Sequence, residues 1–356
     1  MRANVCPPQD AVVLALDLGG TQIRAAAIPP SGERFGRRAL ATPHAGGAEA
    51  IYAACAELLI GVRADLPADL RDHLVAIGIS SMGPVDPWRG LVVDPPNVVA
   101  LRDAPLADEM QRRVGLPAYL ERDTNVAALA EHWLGAARGC LDFMYITVST
   151  GLGGSIFREG RLMLGPDGVA GEIGHVCLML EGGPNCGCGG SGCLEAIVSG
   201  SGLATAARQA LAEAAGEVRG SGADGLPPGG SAFLAKRATA ARLTGRDVAE
   251  GELAGDRLCT ALMERSRRAF AIACVGWVNA FNPERIVVGG AVADGQGERL
   301  LGPARDEVSR TAFPDPAARV EIVPAELGND VGLVGAWPLV AERHGDPAWR
   351  RLREKR

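Results

Sequence analysis

The densest chemistry in the chain lies in GVAGEIGHVCLMLEGGPNCGCGGSGCLEAIVSG, residues 168–200. His175, Cys186, Cys188 and Cys193 offer one imidazole and three thiols, with ten, one and four residues between successive members. Tetrahedral Zn²⁺ accepts such a set, and the glycines let a short loop fold round the ion. A disulfide between Cys186 and Cys188 would have to close across one residue, and a redox pair wants two. A metal-free glycine turn is the alternative. Glu172, three residues before His175, and Glu195, two after Cys193, flank the loop. A metal loop holding two carboxylates is suited to orienting them for substrate hydroxyls.

Two glycine turns carry the next signal. VVLALDLGGTQIRAAAI (12–28) reads as strand, turn and strand, with Asp17, Gly19, Gly20 and Thr21 at the turn. A dinucleotide fingerprint would need its glycine loop to open a helix, which the apolar QIRAAAI does not do. Glycines let backbone amides close on phosphate oxygens, and the Thr21 hydroxyl adds a donor. Asp17, at a strand end, suits a hydrated Mg²⁺ beside phosphate oxygens. FMYITVSTGLGGSIFREGRLM (143–163) repeats the arrangement, with Ser149, Thr150, Gly151, Leu152, Gly153 and Gly154 at its turn. This second turn could hold the other side of one phosphate chain. Two related halves would produce such an echo; two ordinary hairpins are the alternative. Between them, Asp123 in YLERDTNVAALAEHWLGAARG (119–139) follows a strand-like stretch and precedes a helix. A reactive side chain commonly sits at such a place, although a helix N-cap made by Asp123 or Thr124 is the simpler reading of spacing alone.

The elements that must position these residues alternate between strand and helix, which predicts an α/β fold. Helices are predicted over 47–63, 104–114, 124–138 and 256–280, and strands over 74–80 and 285–290. Residues 216–231, GEVRGSGADGLPPGGS, read as a glycine-rich loop. The 356 residues suggest one large or two medium domains. With 47% hydrophobic but only 4% aromatic residues, the core must be built from Ala, Val, Leu and Ile. No apolar run approaches the roughly 18 residues of a membrane span, and the N-terminus has no signal-type apolar region, so a cytoplasmic protein is expected. A net charge of −6 argues against a nucleic-acid surface. The two lysines, Lys236 and Lys355, follow no glycine-rich loop, which excludes a phosphate loop of the GxxxxGK[ST] kind. Cys6, Cys55, Cys140, Cys177, Cys259 and Cys274 are expected to be buried, reduced thiols.

Together these residues resemble the ROK family, bacterial sugar kinases and sugar-responsive repressors of the actin/hexokinase-like superfamily. LDLGGTQIR resembles its first phosphate motif, VSTGLGGSI its second, and NPERIVVGGAVA (282–293) its adenosine-side motif. GEIGHV followed by CGCGGSGCLEA is the most specific part, and AELGNDVGLVGAW (325–337) resembles the usual C-terminal segment. The resemblance implies a two-domain actin-like ATPase (ribonuclease H-like) fold with an interdomain cleft. Residues 1–122 with about 336–356 would form a smaller α/β domain, and 123–335 a larger one with the zinc loop. The implied activity is ATP-dependent phosphorylation of a hexose hydroxyl, glucose to glucose 6-phosphate first, with Mg²⁺ and a structural Zn²⁺. Asp123 matches the general base. Glu172, His175 and Glu195 match residues that bind sugar hydroxyls, and His175 is also a zinc ligand with Cys186, Cys188 and Cys193. Asp17 matches the acid near Mg²⁺, with Gly19, Gly20, Thr21, Thr150, Gly151 and Gly153 on the phosphates. Gly289 and Gly290 lie where adenosine docks, and Gly83 and Asn97 in stretches that border the sugar. A homodimer or homotetramer with no membrane or nucleic-acid partner is implied.

The chain departs from the family pattern in three places. Arg122-Asp123 stands where Asn-Asp is usual, and that asparagine contacts the sugar, so Arg122 is a candidate substrate-binding residue. Its guanidinium could pair with a substrate carboxylate or phosphate, or turn outward to a surface acid. Ser149 and Ser155 replace commoner glycines, and the tryptophan often found after PPN is missing. A DNA-binding repressor would carry a further domain before the first motif, where eleven residues precede Val12. A sugar sensor with an inactive kinase site and a kinase for another sugar (an N-acetylhexosamine, fructose or an acidic sugar) are the remaining alternatives.

Overall fold

The computed structural model describes residues 10–95, 98–216, 230–238 and 242–349. Asn97, Cys6 and most of the glycine-rich stretch 216–231 lie outside the described residues. The chain divides into two compact units: one runs up to Gly139, takes Leu162–Ala170 and resumes at Glu326; the other holds Cys140–Arg161 and Gly171–Ala325.

The first unit is built on a five-stranded sheet. Its strands are β1 (Val12–Leu18), β2 (Gln22–Ile28), β3 (Phe35–Ala41), β4 (Leu74–Ser81) and β7 (Ala118–Arg122), in the order β3-β2-β1-β4-β7; β5 (Val85–Asp86) and β6 (Leu91–Val92) form a separate pair. The first three strands of the chain are antiparallel, and β1, β4 and β7 run parallel. Alternation sends Leu14, Leu16 and Leu18 to one face, against the helix Gly47–Asp65, whose Ile51, Cys55, Leu59 and Val62 recur at helical spacing. Val13 and Ala15 face the other way, under Trp337 and Val340 of the helix Ala336–Arg343. That two-sided burial explains why β1 reads as a continuous apolar run.

The second unit repeats the plan. It contains β8 (Phe143–Val148), β9 (Leu152–Arg158), the edge strand β10 (Arg161–Leu162), β11 (Arg285–Gly289) and β12 (Glu321–Pro324), in the order β10-β9-β8-β11-β12. β8 and β9 are antiparallel, while β8, β11 and β12 run parallel. The helix Arg257–Phe281 lays Phe270, Cys274, Trp277 and Val278 on this sheet. Each glycine turn is therefore the first hairpin of one of two sheets of equal strand order, which accounts for the echo in the sequence. This duplicated sheet is the actin-like, ribonuclease H-like architecture.

Three expectations change. The crossing placed at 122/123 falls at 139/140, because the helix Asp123–Leu134 packs on the C-terminal segment: Gly335 sits so close to the Val126 carbonyl that no side chain fits there. That helix was expected to reach 138 but stops at Leu134, where the buried Glu131 carboxylate accepts the Ala136 N–H at 2.7 Å. Cys177 is exposed, unlike Cys55, Cys140, Cys259 and Cys274: of its apolar run only Leu178 and Met179 pack against the core, and Val176 and Leu180 are exposed with it. Among the described residues no helix is long and apolar enough to cross a membrane.

At the end of β7, Glu121 is fully buried and pairs with Arg343, which is 3% exposed and also donates to the Leu120 carbonyl at 2.9 Å. Removing one member of a buried pair strands the other. Arg343→Ala is expected to destabilise the protein by about 3–5 kcal/mol in urea unfolding. A loss under about 1 kcal/mol would mean that backbone and amide donors alone satisfy Glu121.

Candidate active site and metal centre

In the first unit the turn between β1 and β2 is closed by its own backbone: the Gly19 N–H donates to Gln22 O at 3.0 Å, and the Thr42 hydroxyl donates to Gly19 O at 2.7 Å. Asp17 stands opposite Arg24 on β2 and Ser80 on β4. Register thus places Arg24 beside the acid, and its Nε and Nη2 both donate to Asp17 Oδ2, the former at 3.0 Å. Arg24 Nη1 also donates to Asn329 O at 2.7 Å. The remaining oxygen, Oδ1, faces Gly332, where an added Cβ would come within 2.8 Å. Nothing in the sequence around Arg24 marks this role; the opposed register within a predicted hairpin was the available signal.

Asp123 is the first residue of the helix Asp123–Leu134 and is exposed. Its Oδ1 accepts the Thr124 N–H at 2.7 Å, and the aligned amides of the helix favour a negative charge there. The capping reading fails: the N-cap position is Arg122 with no side-chain cap, and the buried Thr124 hydroxyl has no hydrogen-bond partner among the described residues. Beneath the helix start, Glu121 Oε1 accepts the Arg122 N–H at 2.8 Å and the Asn125 amide at 2.9 Å. Arg122 does not turn outward. It is 5% exposed, passes over Gly83, and donates from Nη2 to Ala170 O at 2.9 Å. Arg122, the neighbour of Asp123 in the chain, is thus brought against Gly83, with Asn97 outside the described residues. Glu121 and Glu131 were not anticipated; Glu131 accepts the Glu326 and Leu327 N–H groups at 3.0 and 2.9 Å, contacts that no local pattern announces.

In the second unit Thr150 O of the turn accepts the Ser201 N–H at 3.0 Å and its hydroxyl at 2.7 Å, and Ser149 O accepts the Gly200 N–H at 2.8 Å. Glu195 Oε2 accepts the Leu152 N–H at 2.8 Å. Gly153 lies in β9 opposite Thr147. After β11, Gly290 has φ +97° and abuts Val148 O and Thr147, while the space beside Gly289 is filled by Ala325 and Tyr145. Packing thus leaves no room for a side chain at either glycine, because of the neighbouring backbone at Gly290 and of neighbouring side chains at Gly289.

His175, Cys186, Cys188 and Cys193 gather with ligand atoms all within 4.8 Å of one another. Cys188 Sγ is 3.7 Å from Cys193 Sγ, and Cys186 Sγ is 3.5 Å from His175 Nδ1. Zinc bond lengths give tetrahedral edges of about 3.8 Å between sulfurs and about 3.6 Å between sulfur and nitrogen. The cluster therefore fits the ion. The Gly190 amide holds Cys188 below the ordinary thiol value, whereas burial raises Cys186 and pushes Cys193 up to about 12. Binding as thiolates must displace those protons. The other ring nitrogen, His175 Nε2, lies 3.8 Å from Glu172 Oε2, and Glu172 is exposed. Glu195 Oε1 lies 3.9 Å from Cys186 Sγ, so one carboxylate touches both the metal loop and the glycine turn.

Comparison with known proteins supplies the context. A model described as the ROK family matches residues 13–343. A glucokinase of Thermotoga maritima is 32% identical over 334 residues, 94% of this chain and 98% of its own. An N-acetylmannosamine kinase of Escherichia fergusonii is 33% identical over 324 residues, 91% of this chain and 96% of its own. The crystal structure of a ROK family glucokinase from Streptomyces griseus, in complex with glucose and AMPPNP, superposes with a TM-score of 0.71 at 32% identity, covering 92% of this chain and 99% of that one.

Protein purified without chelator is expected to carry about one Zn²⁺ per chain by metal analysis, and Cys188→Ser to lose it. Metal-free wild-type protein of normal fold would contradict the assignment.

Proposed function

The chain belongs to the ROK family and is an ATP-dependent sugar kinase, and from that premise we propose that it phosphorylates the 6-hydroxyl of glucose with Asp123 as general base. The observation that carries this reading is the placing of Asp123: an exposed carboxylate at a helix start, on a backbone gripped from below by the buried Glu121. A base for this step must be held rigidly and yet reach a substrate hydroxyl, and the exposed carboxylate on an anchored backbone supports that reading.

In the proposed step Asp123 takes the proton of the sugar hydroxyl as that oxygen attacks the γ-phosphorus of ATP. The bond to the bridging β,γ-oxygen breaks, and ADP leaves with the electron pair. Such a transfer asks for positioning and charge stabilisation rather than covalent help from the protein. The amides of the two glycine turns are the donors proposed for the phosphate oxygens. Mg²⁺, when bound, neutralises charge on those oxygens, and Asp17 would hold its water shell through Oδ1, since Arg24 engages Oδ2. Glu172, His175 and Glu195 orient the sugar by accepting from or donating to its hydroxyls, and Zn²⁺, when bound, fixes the loop that carries them.

Glucokinase relatives covering nearly the whole chain support glucose first. N-acetylmannosamine is the second reading, because kinases for that sugar are equally similar. Arg122 bears on the choice, because it stands where the family usually has asparagine and its side chain runs inward over Gly83 to Ala170 O.

Asp123→Asn is expected to lower kcat by about 10²–10⁴-fold while glucose binding, followed by calorimetry, changes little. Near-normal turnover in that variant would remove Asp123 from the role of base.

A further inference from the structure

We propose that Glu195 couples the two substrates, so that a sugar held by its carboxylate also orders the second glycine turn and tightens binding of the nucleoside triphosphate. The inference rests on the reading above that Glu195 meets sugar hydroxyls and that the 149–154 turn meets phosphate.

Its basis is a set of contacts within one unit. Glu195 lies in the short helix Leu194–Val198, two residues after Cys193, and Oε2 accepts the N–H of Leu152, the first residue of β9 where the chain leaves the turn, at 2.8 Å. Oε1 faces Cys186 Sγ at 3.9 Å. The turn is moulded to this carboxylate: a Cβ added to Gly151 would lie 2.7 Å from Oε2. Downstream of Glu195, the Gly200 and Ser201 amides bind Ser149 O and Thr150 O, so the chain leaving the metal loop underlies the whole turn. A carboxylate has about four lone-pair positions, so Glu195 can keep the Leu152 amide while accepting from a sugar hydroxyl. A turn already ordered through Glu195 loses less conformational freedom on meeting phosphate, and by linkage the nucleotide tightens the sugar equally.

The test is calorimetry on zinc-loaded protein with Mg-AMPPNP, alone and with saturating glucose or N-acetylmannosamine. In the wild type, sugar is expected to tighten AMPPNP by at least about 5-fold, the lower end of ordinary coupling. In Glu195→Ala the coupling should vanish, and AMPPNP should bind more weakly even without sugar, because the Leu152 amide has lost its acceptor. Gly151→Ala, altered in the phosphate turn, should weaken sugar binding in the absence of nucleotide by displacing Glu195. Zinc content at the wild-type level in both variants separates these effects from collapse of the metal loop. Unchanged AMPPNP affinity in Glu195→Ala, or sugar and AMPPNP binding independently in the wild type, overturns the coupling. Wild-type protein that binds AMPPNP but neither sugar contradicts the proposed substrate instead, and the Leu152 contact is still tested by the sugar-free arm.

Discussion

Four ligand atoms carried by residues 175 to 193 converge within 4.8 Å of one another, and the candidate site of the second unit depends on that convergence. Val176, Cys177, Leu180 and Cys188 are exposed, and the glycines between the cysteines contribute no side chains to a core. Leu178 and Met179 pack against the core of the second unit and the Leu178 N–H donates to Gly192 O at 2.8 Å, so apolar burial offsets only part of the segment's conformational entropy. Zn²⁺ held by the four side chains would supply further free energy, because the thiolates and imidazole converge only in the folded loop. What the loop then fixes is the path of the chain into the helix Leu194–Val198, and with it Glu195. The proposed metal centre would therefore bear on two things at once: the carboxylates that flank it and the glycine turn that Glu195 supports.

The first unit meets a parallel problem at Asp123 with protein groups. Asp123 must stand exposed at the start of a helix, where fraying would spoil its placement. Two buried carboxylates anchor that helix at opposite ends. Glu121 grips the backbone of Arg122 and the side chain of Asn125, its charge met by Arg343. Glu131 accepts N–H groups from the turn after Leu134 and from residues 326–327. Leaving either carboxylate without partners would be costly, so each works as a clamp on the backbone it binds. Arg24 plays a similar part for Asp17, holding one oxygen and leaving the other to face Gly332.

Much of this was legible in the sequence, for identifiable reasons. Strand-turn-strand periodicity located both hairpins, and the Cys₃His spacing located a cluster whose ligand atoms do converge. These are local signals, carried within a score of residues. The clamps were invisible because their partners are remote: Arg343 is 222 residues from Glu121, and Leu327 is 196 from Glu131. The domain crossing was misplaced for the same reason, since only tertiary packing assigns the helix Asp123–Leu134 to the first unit. Cys177 misled by lying in an apolar run that the metal loop turns outward. Arg122 could be noticed as a departure from the family pattern, but its inward course to Ala170 O depended on a segment that returns to the first unit after β10.

The central claim is sugar-dependent phosphoryl transfer. It is tested most directly by ADP formation from Mg-ATP by zinc-loaded wild-type protein, followed across glucose, mannose, fructose, N-acetylglucosamine, N-acetylmannosamine and gluconate. The account predicts saturable turnover with glucose as the preferred acceptor. A slow hydrolysis of ATP that none of these sugars accelerates, in protein that binds both zinc and nucleotide, would contradict it and leave a sugar sensor in its place.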